Sequence, residues 1–174
     1  MVVVANSAAR AGTDSIDRII EAWARADPQV DARPLHVVGR LLLCAEYCKR
    51  DLVAALQPLG LSFGDFDVLN TLRRRGEAQG SKPSDLAASS LITTGAMTAR
   101  LDRLERAGLI RRTPDPEDGR GVRVRLTSRG KRLAEQALQA VIDADNAFLQ
   151  PLDQSERDQV AQALKQLLLP YESD

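Results

Sequence analysis

The stretch from Thr93 to Leu126 constrains the fold more than any other, because its hydrophobic pattern changes period part-way along. In the first half, Met97, Leu101 and Leu104 recur at helical spacing. In the second half, apolar and basic side chains alternate as in a half-buried strand. The segment between them is broken by Pro114, Pro116, Gly119 and Gly121. The pattern predicts a helix followed by a β-hairpin, with Val122, Val124 and Leu126 facing inward and Arg123 and Arg125 outward.

The distribution of charge indicates an anionic partner for this part of the chain. The 174 residues include 24 basic and 24 acidic side chains, but residues 71–132 hold 15 of the basic and only 7 of the acidic ones. Most of these basic residues are arginines, whose planar guanidinium suits phosphate oxygens and guanine edges. A helix beside an arginine-bearing hairpin fits the two grooves of DNA. We therefore expect double-stranded DNA as a partner.

Further helices are predicted on both sides of this segment. Residues 14–26 form an amphipathic helix, and a longer helical pattern begins at Pro34 and breaks at Pro58. Ser62 and Asp65 form a capping box for the next helix, and Pro83 opens a short one. A cap at or near Thr93 begins the recognition helix, which ends at Gly108, and capping signals at Thr127 and Asp153 begin two C-terminal helices.

The expected fold class is mainly α with a small β-hairpin wing, a winged helix-turn-helix flanked by long dimerisation helices. We divide the chain into a flexible N-terminus (1–13), an extra helix with the first dimerisation helix (14–60), the DNA-binding lobe (61–126) and the C-terminal dimerisation helices (127–174). The outer helices carry more apolar surface than one small lobe can cover, which predicts a homodimer on a palindromic operator. The alternative is that this surface packs within the chain.

Several classes of function lack support in the sequence. The first residues are too weakly apolar for a signal peptide, and no apolar run has the length of a membrane span, so a cytoplasmic location without membrane contact is expected. No Gly-rich phosphate loop, HExxH or GxSxG motif indicates an enzyme. The single histidine, His36, and two cysteines do not complete a zinc site, and we expect neither metal nor cofactor.

The residues from Asp118 to Val124 resemble the wing signature of MarR-type transcriptional regulators, in which an aspartate precedes an arginine by two positions and a valine follows. The resemblance spans nearly the whole chain. It includes Leu61-Ser62, Pro83, Gly108-Leu109-Ile110 and Leu126-Thr127. It implies a ligand-responsive regulator, most often a repressor, in which Asp118 stabilises the wing by holding an arginine.

A narrower resemblance is to the urate-responsive and PecS-like members of that family, which add an N-terminal helix bearing a tryptophan. It implies a site for a small aromatic acid, coupled to DNA release and formed by Trp23, Asp67, Arg100 and Arg112. Trp23 alone is also compatible with a core anchor. Two alternatives stay open: a thiol sensor at Cys44 and Cys48, and an architectural DNA-binding protein without a ligand.

The expected DNA contacts fall into three groups. The recognition helix reaches base edges in the major groove with its first turns. The tip of the wing reaches the minor groove, and other basic or polar side chains hold phosphates, among which Arg111 and Arg125 are also plausible. The residues predicted to bind DNA are Lys82, Ser84, Thr94, Gly95, Thr98, Arg100, Arg103, Arg120 and Arg123.

Overall fold

The computed structural model describes residues 12–76, 79–89, 97–116, 118 and 121–172. Helices predominate, and two strands pair as one antiparallel hairpin, which confirms the predicted fold class. In chain order the elements are α1 (Ser15–Ala26), α2 (Leu35–Leu56), a 3₁₀ turn (Gln57–Leu59), α3 (Phe63–Arg75), α4 (Pro83–Ser89), α5 (Met97–Arg106), β1 (Ile110–Pro114), β2 (Val122–Leu126), α6 (Ser128–Phe148) and α7 (Gln154–Glu172).

The helices begin where short polar motifs cap them. The Ser62 hydroxyl accepts a hydrogen bond from the Asp65 N–H at 3.1 Å, and the Asp65 carboxylate accepts one from the Ser62 N–H at 3.2 Å, which confirms the predicted capping box of α3. Asp153 and Glu156 exchange the same pair of bonds at α7. Thr127 caps α6. The cap predicted at Thr93 lies outside the described residues.

Two compact units divide the chain, one ending at Lys49 and the second beginning at Arg50. The end of α2 belongs to the second unit because Leu56 is fully buried in that unit's core. The predicted division of the chain into four segments stays a prediction. The core joins α3, α5, the hairpin and the first half of α6. Its most buried members are Leu56, Val68, Leu69, Leu86, Leu101, Leu104, Ile110, Val124, Ala134 and Ala137.

The hairpin departs from the predicted alternation at two positions. Arg111 pairs with Arg125 and Thr113 with Arg123, and β2 gains a further bridge from Val124 to Ser81 on its other edge. Val124 is fully buried as expected, but Val122 is 40% exposed, so the prediction that it faces inward is wrong. The prediction that Arg123 faces outward is also wrong, since its side chain is only 14% exposed. Both lie near the loop end of β2, where the core no longer covers the strand.

Helix α7 carries no buried residue among those described, although it is rich in leucine. Its apolar side chains form a stripe at helical spacing, 36–53% exposed, made of Val160, Leu164, Leu167 and Leu168. None of the described helices, taken singly, has the length and apolar content needed to cross a bilayer.

Candidate DNA-binding surface

Helix α5 and the hairpin hold most of the side chains predicted to contact DNA. Met97, Leu101 and Leu104 are buried and fasten one side of α5 to the core, as predicted. Thr98 is exposed, and so is Ser84 on α4. The predicted contacts Thr94, Gly95 and Arg120 lie outside the described residues, so the structure assigns them no position.

Arg103 extends from α5 to the first turn of α3. Its guanidinium forms a short ion pair with the carboxylate of Asp65, which is itself buried and also completes the capping box of α3. The Arg103 side chain remains 52% exposed. The ion pair orients the guanidinium while leaving part of it open to another anion.

Arg100, the other arginine on this side of α5, lies directly over Gly64. A Cβ atom at Gly64 would come within 2.6 Å of the guanidinium carbon, so only glycine leaves room for this contact. Asp67 is one helical turn from Gly64, on the same side of α3, and is 4% exposed. The structure therefore brings two of the four predicted ligand residues, Arg100 and Asp67, to neighbouring positions.

Arg112 connects the first strand of the wing to α5. Its guanidinium forms ion pairs with Asp102 at 2.6 Å and with Glu105 at 2.8 Å, and its backbone N–H donates to Glu105 at 2.8 Å. Burial lowers the pKa of Arg112, but the hydrogen bonds to Asp102 and Glu105 outweigh burial and raise it above its usual value. The guanidinium stays charged, and it fastens the hairpin to the recognition helix.

Arg100 and Arg112 act on opposite sides of α5. At 100° per residue, Asp102 and Glu105 project about 140–200° away from Arg100 around the helix axis. Arg112 contacts the side of α5 that bears Asp102 and Glu105, whereas α3 contacts the side that bears Arg100. The structure therefore does not gather Arg112 into one cluster with Arg100 and Asp67.

A buried carboxylate anchors the base of the wing. The Asp115 side chain is fully buried and forms ion pairs with Arg123 at 3.0 Å and with Lys82 at 3.4 Å. Arg123 also donates to the carbonyl of Gly80 at 3.3 Å. Two residues predicted as phosphate contacts, Lys82 and Arg123, thus hold the hairpin to the start of α4.

Asp118, the predicted wing-stabilising residue, forms the turn itself. Its backbone carbonyl accepts a hydrogen bond from the N–H of Gly121 at 2.8 Å. Its predicted hold on an arginine stays a prediction. Asp115 is not among the residues predicted from the sequence, although its position between Pro114 and Pro116 marks a rigid loop entry.

Asp102 and Glu105 are also absent from the residues predicted from the sequence. Their signal was available, because two carboxylates three residues apart share one side of a helix that is otherwise basic. An acidic pair on a helix that approaches a polyanion needs a cationic partner from the protein. Arg112 is that partner.

In the first unit, Trp23 lies on α1 with 45% of its surface exposed. Cys44 is exposed and Cys48 half-buried on α2, both as thiols. Within the described residues no group of three or more His, Cys, Asp or Glu side chains is placed to hold a metal ion.

Comparison with known proteins assigns the chain to a family. The model of the MarR family matches residues 59–121. The transcriptional regulator PecS of Dickeya dadantii is 32% identical over 142 residues, which cover 82% of this chain and 86% of PecS. The chain belongs to the MarR family. The match to PecS also confirms the narrower resemblance found in the sequence.

Two solved structures of MarR-family proteins bound to DNA share its fold. One is a cysteine-to-serine variant of MarR from Escherichia coli with operator DNA, at TM-score 0.67 and 31% identity, covering 90% of this chain and 99% of that one. The other is Rv2887 of Mycobacterium tuberculosis with DNA, at TM-score 0.58 and 30% identity, covering 75% and 96%. This MarR-family protein is a DNA-binding transcriptional regulator with a winged helix-turn-helix fold.

Proposed function

We propose that this regulator binds a palindromic operator as a homodimer, acts as a repressor, and is released by a small aromatic acid such as urate. The observation that carries the release mechanism is the double attachment of α5. Arg100 and Arg103 attach one side of it to α3, and the Asp102 and Glu105 carboxylates attach the other side to Arg112. The position of the recognition helix therefore depends on charged groups that an anion would disturb.

In the proposed complex, α5 enters the major groove and the wing approaches the minor groove. Thr98, Arg100 and Arg103 join Thr94 and Gly95 at the bases, and Arg120 reaches into the minor groove. Lys82, Ser84 and Arg123 belong to the phosphate-facing side, but the pairs that Lys82 and Arg123 make with Asp115 give them a mainly positioning role. The MarR and Rv2887 complexes with DNA support this arrangement.

The proposed ligand acts on the same ion pairs. Arg112 offers a cation for a carboxylate or an acidic ring nitrogen. Trp23, 45% exposed on α1, is the aromatic side chain that we assign to the planar ring. An anion that takes Arg112 leaves Asp102 and Glu105 without their partner and loosens the hairpin from α5. DNA and ligand then oppose each other, and each lowers the affinity of the other by the same factor.

A gel-shift titration tests the proposal with DNA from immediately upstream of the chain's own coding region. We expect one retarded complex that urate, or a related aromatic acid such as salicylate, dissociates. The ligand response should be lost in Arg112→Ala and Asp67→Ala. It should persist in Arg132→Ala, which removes an arginine from an exposed site on α6.

The alternatives give different results in the same assay. Uniform retardation of unrelated DNA would contradict a sequence-specific operator and favour an architectural protein. If peroxide dissociated DNA from the wild type but not from Cys44→Ser, the release signal would be thiol oxidation and not an aromatic acid. Cys44 is exposed and therefore accessible to an oxidant. Quenching of Trp23 fluorescence by urate that is equally strong in Arg112→Ala would contradict the proposed site.

A further inference from the structure

A cavity of about 650 Å³ opens at the base of the hairpin in the second unit. It lies between the C-terminal end of α3, the strands and the first turn of α6. Four cationic side chains from these elements line it, together with one carboxylate: Arg73, Arg111, Arg125, Lys131 and Glu135. Its volume is in the range of small-molecule sites.

Three of the four cations of this cavity lack the carboxylate partner that several basic residues of the DNA-binding surface have. Lys82, Arg103, Arg112 and Arg123 each have a carboxylate within 4 Å. Arg73 pairs with Glu135 at 3.2 Å. Arg111, Arg125 and Lys131, in contrast, form no ion pair with any carboxylate in the described parts of the chain. The cavity therefore holds an excess of positive charge that the protein does not balance locally.

Two of these cations are directly opposed. Arg111 and Arg125 are register partners in the hairpin, and like charges on facing strand residues destabilise a sheet. Gly80, at φ 87°, lets Arg125 approach, since a Cβ at Gly80 would lie 2.6 Å from the Arg125 Cγ. An anion between the two guanidinium groups would convert their repulsion into binding energy.

The first turn of α6 adds hydrogen-bond donors to the same cavity. Thr127 and Ser128 line it, and the N–H group of Ser128 precedes the first bonds within the helix. The start of a 21-residue helix carries partial positive charge and suits a phosphate oxygen. The helix terminus and the guanidinium pair thus favour the same kind of ligand.

The cavity and the recognition helix lie on different faces of the hairpin. Successive strand residues point to opposite faces. Arg112 points to α5, as its ion pairs with Asp102 and Glu105 show, so Arg111 and its register partner Arg125 point away from α5. This placement favours a small ligand over the duplex that α5 addresses.

We propose that this cavity binds a small molecule bearing a diphosphate group. Its four cations and single carboxylate leave three positive charges, which match the charge of a diphosphate near neutral pH. Each guanidinium group can bind two phosphate oxygens at once. A diphosphate has enough oxygens to contact three cations, whereas a ligand with a single carboxylate has only two. The diphosphate group belongs either to free pyrophosphate or to a nucleotide.

Isothermal titration calorimetry at constant ionic strength tests the site with the full chain. Sodium pyrophosphate and adenosine 5′-diphosphate are titrated separately, with sodium sulfate as the reference anion. We expect at least one diphosphate to bind about tenfold more tightly than sulfate, and Arg125→Gln and Lys131→Gln each to weaken it about tenfold. Tighter binding of the nucleotide would identify an organic diphosphate as the ligand.

The matched control is Arg132→Gln, which removes a cation from the residue next to Lys131 without touching the cavity. It should bind diphosphate as the wild type does. Absence of binding by the wild type, equal affinity for sulfate, or an equal loss in Arg132→Gln would overturn the proposal. So would a lower affinity of Arg125→Gln for operator DNA with no change in diphosphate binding, because Arg125 would then be a phosphate contact of the duplex. The calorimetry needs no DNA, so its outcome is independent of the proposed operator.

Discussion

At the scale of single residues, carboxylates decide where the arginines of this lobe are held. Asp65 holds Arg103, Asp102 and Glu105 hold Arg112, and Asp115 holds Arg123. Each pair joins two different elements. The acidic residues inside the basic segment therefore set the geometry that its positive charges present.

Asp115 provides the strongest test at this scale. In Asp115→Asn, Arg123 and Lys82 lose their ion pairs with the buried Asp115 carboxylate, while side-chain volume is preserved. Because breaking a buried ion pair is destabilising, we expect the free energy of unfolding to fall by about 3–5 kcal/mol. Urea denaturation followed by circular dichroism measures this loss.

The matched control for Asp115 is Asp85→Asn. Asp85 pairs with Arg75 at 3.8 Å, and its side chain is 44% exposed, so its loss should cost less than about 1 kcal/mol. Equal effects of the two substitutions would show that Asp115 does not act as a buried anchor.

At the scale of elements, ion pairs also fasten α1 to the start of α2. Arg40 donates to Asp14 at 2.8 Å and to Asp17 at 2.6 Å. The backbone N–H of Asp17, together with Arg40, lowers the pKa of Asp14. Arg40, together with the backbone N–H of Asp14, lowers the pKa of Asp17. The capping box of α1 and its attachment to α2 thus depend on the same two carboxylates.

The ion pairs between α1 and Arg40 predict that the stability of α1 depends on pH. Because both pKa values are lowered by folding, their contribution to stability is complete above the ordinary value of 3.8 and is lost as the pH falls through the lowered values. Arg40→Met should therefore destabilise α1 at pH 7, and the difference from the wild type should shrink as the pH falls below 3.8 and through the lowered pKa values.

Trp23 emission during thermal unfolding reports on α1, since it is the single tryptophan and lies in that helix. Arg33→Met is the comparison, because Arg33 pairs with Asp31 in the loop after α1 and its side chain is 86% exposed. If the wild type remained more stable than Arg40→Met by the same amount from pH 7 to pH 2, the proposed role of the Asp14 and Asp17 carboxylates would be contradicted.

At the scale of the whole molecule, the apolar stripe of α7 needs a cover. Val160, Leu164, Leu167 and Leu168 are 36–53% exposed in the single chain. Contiguous apolar surface of this kind marks an interaction site. A second copy of the chain is the cover that the proposed palindromic operator requires.

We therefore expect Leu168→Glu to shift the dimer toward monomer, because the substitution places a charge within the stripe. Sedimentation velocity measures the shift, and circular dichroism checks that the helical content is retained. Gln162→Glu, on the opposite side of α7, introduces the same charge and should leave the dimer intact. A monomeric wild type, or equal dissociation of both variants, would contradict this interface.

Local sequence patterns predicted the helix starts, the buried side of α5 and the presence of a hairpin. Capping boxes such as Ser62 with Asp65 and the spacing of Met97, Leu101 and Leu104 act over a few residues, so they are visible without knowledge of the fold. Arginine clustering indicated DNA for the same reason.

The contacts of each arginine, in contrast, depend on how the elements pack. Whether Arg123 is exposed or buried depends on Asp115, and whether Arg100 and Arg112 meet depends on which sides of α5 contact α3 and β1. The cavity at Arg111, Arg125 and Lys131 likewise forms only where α3, the hairpin and α6 converge. Ion pairs and cavities join residues far apart in sequence, and no local pattern encodes which of many charged residues will be neighbours.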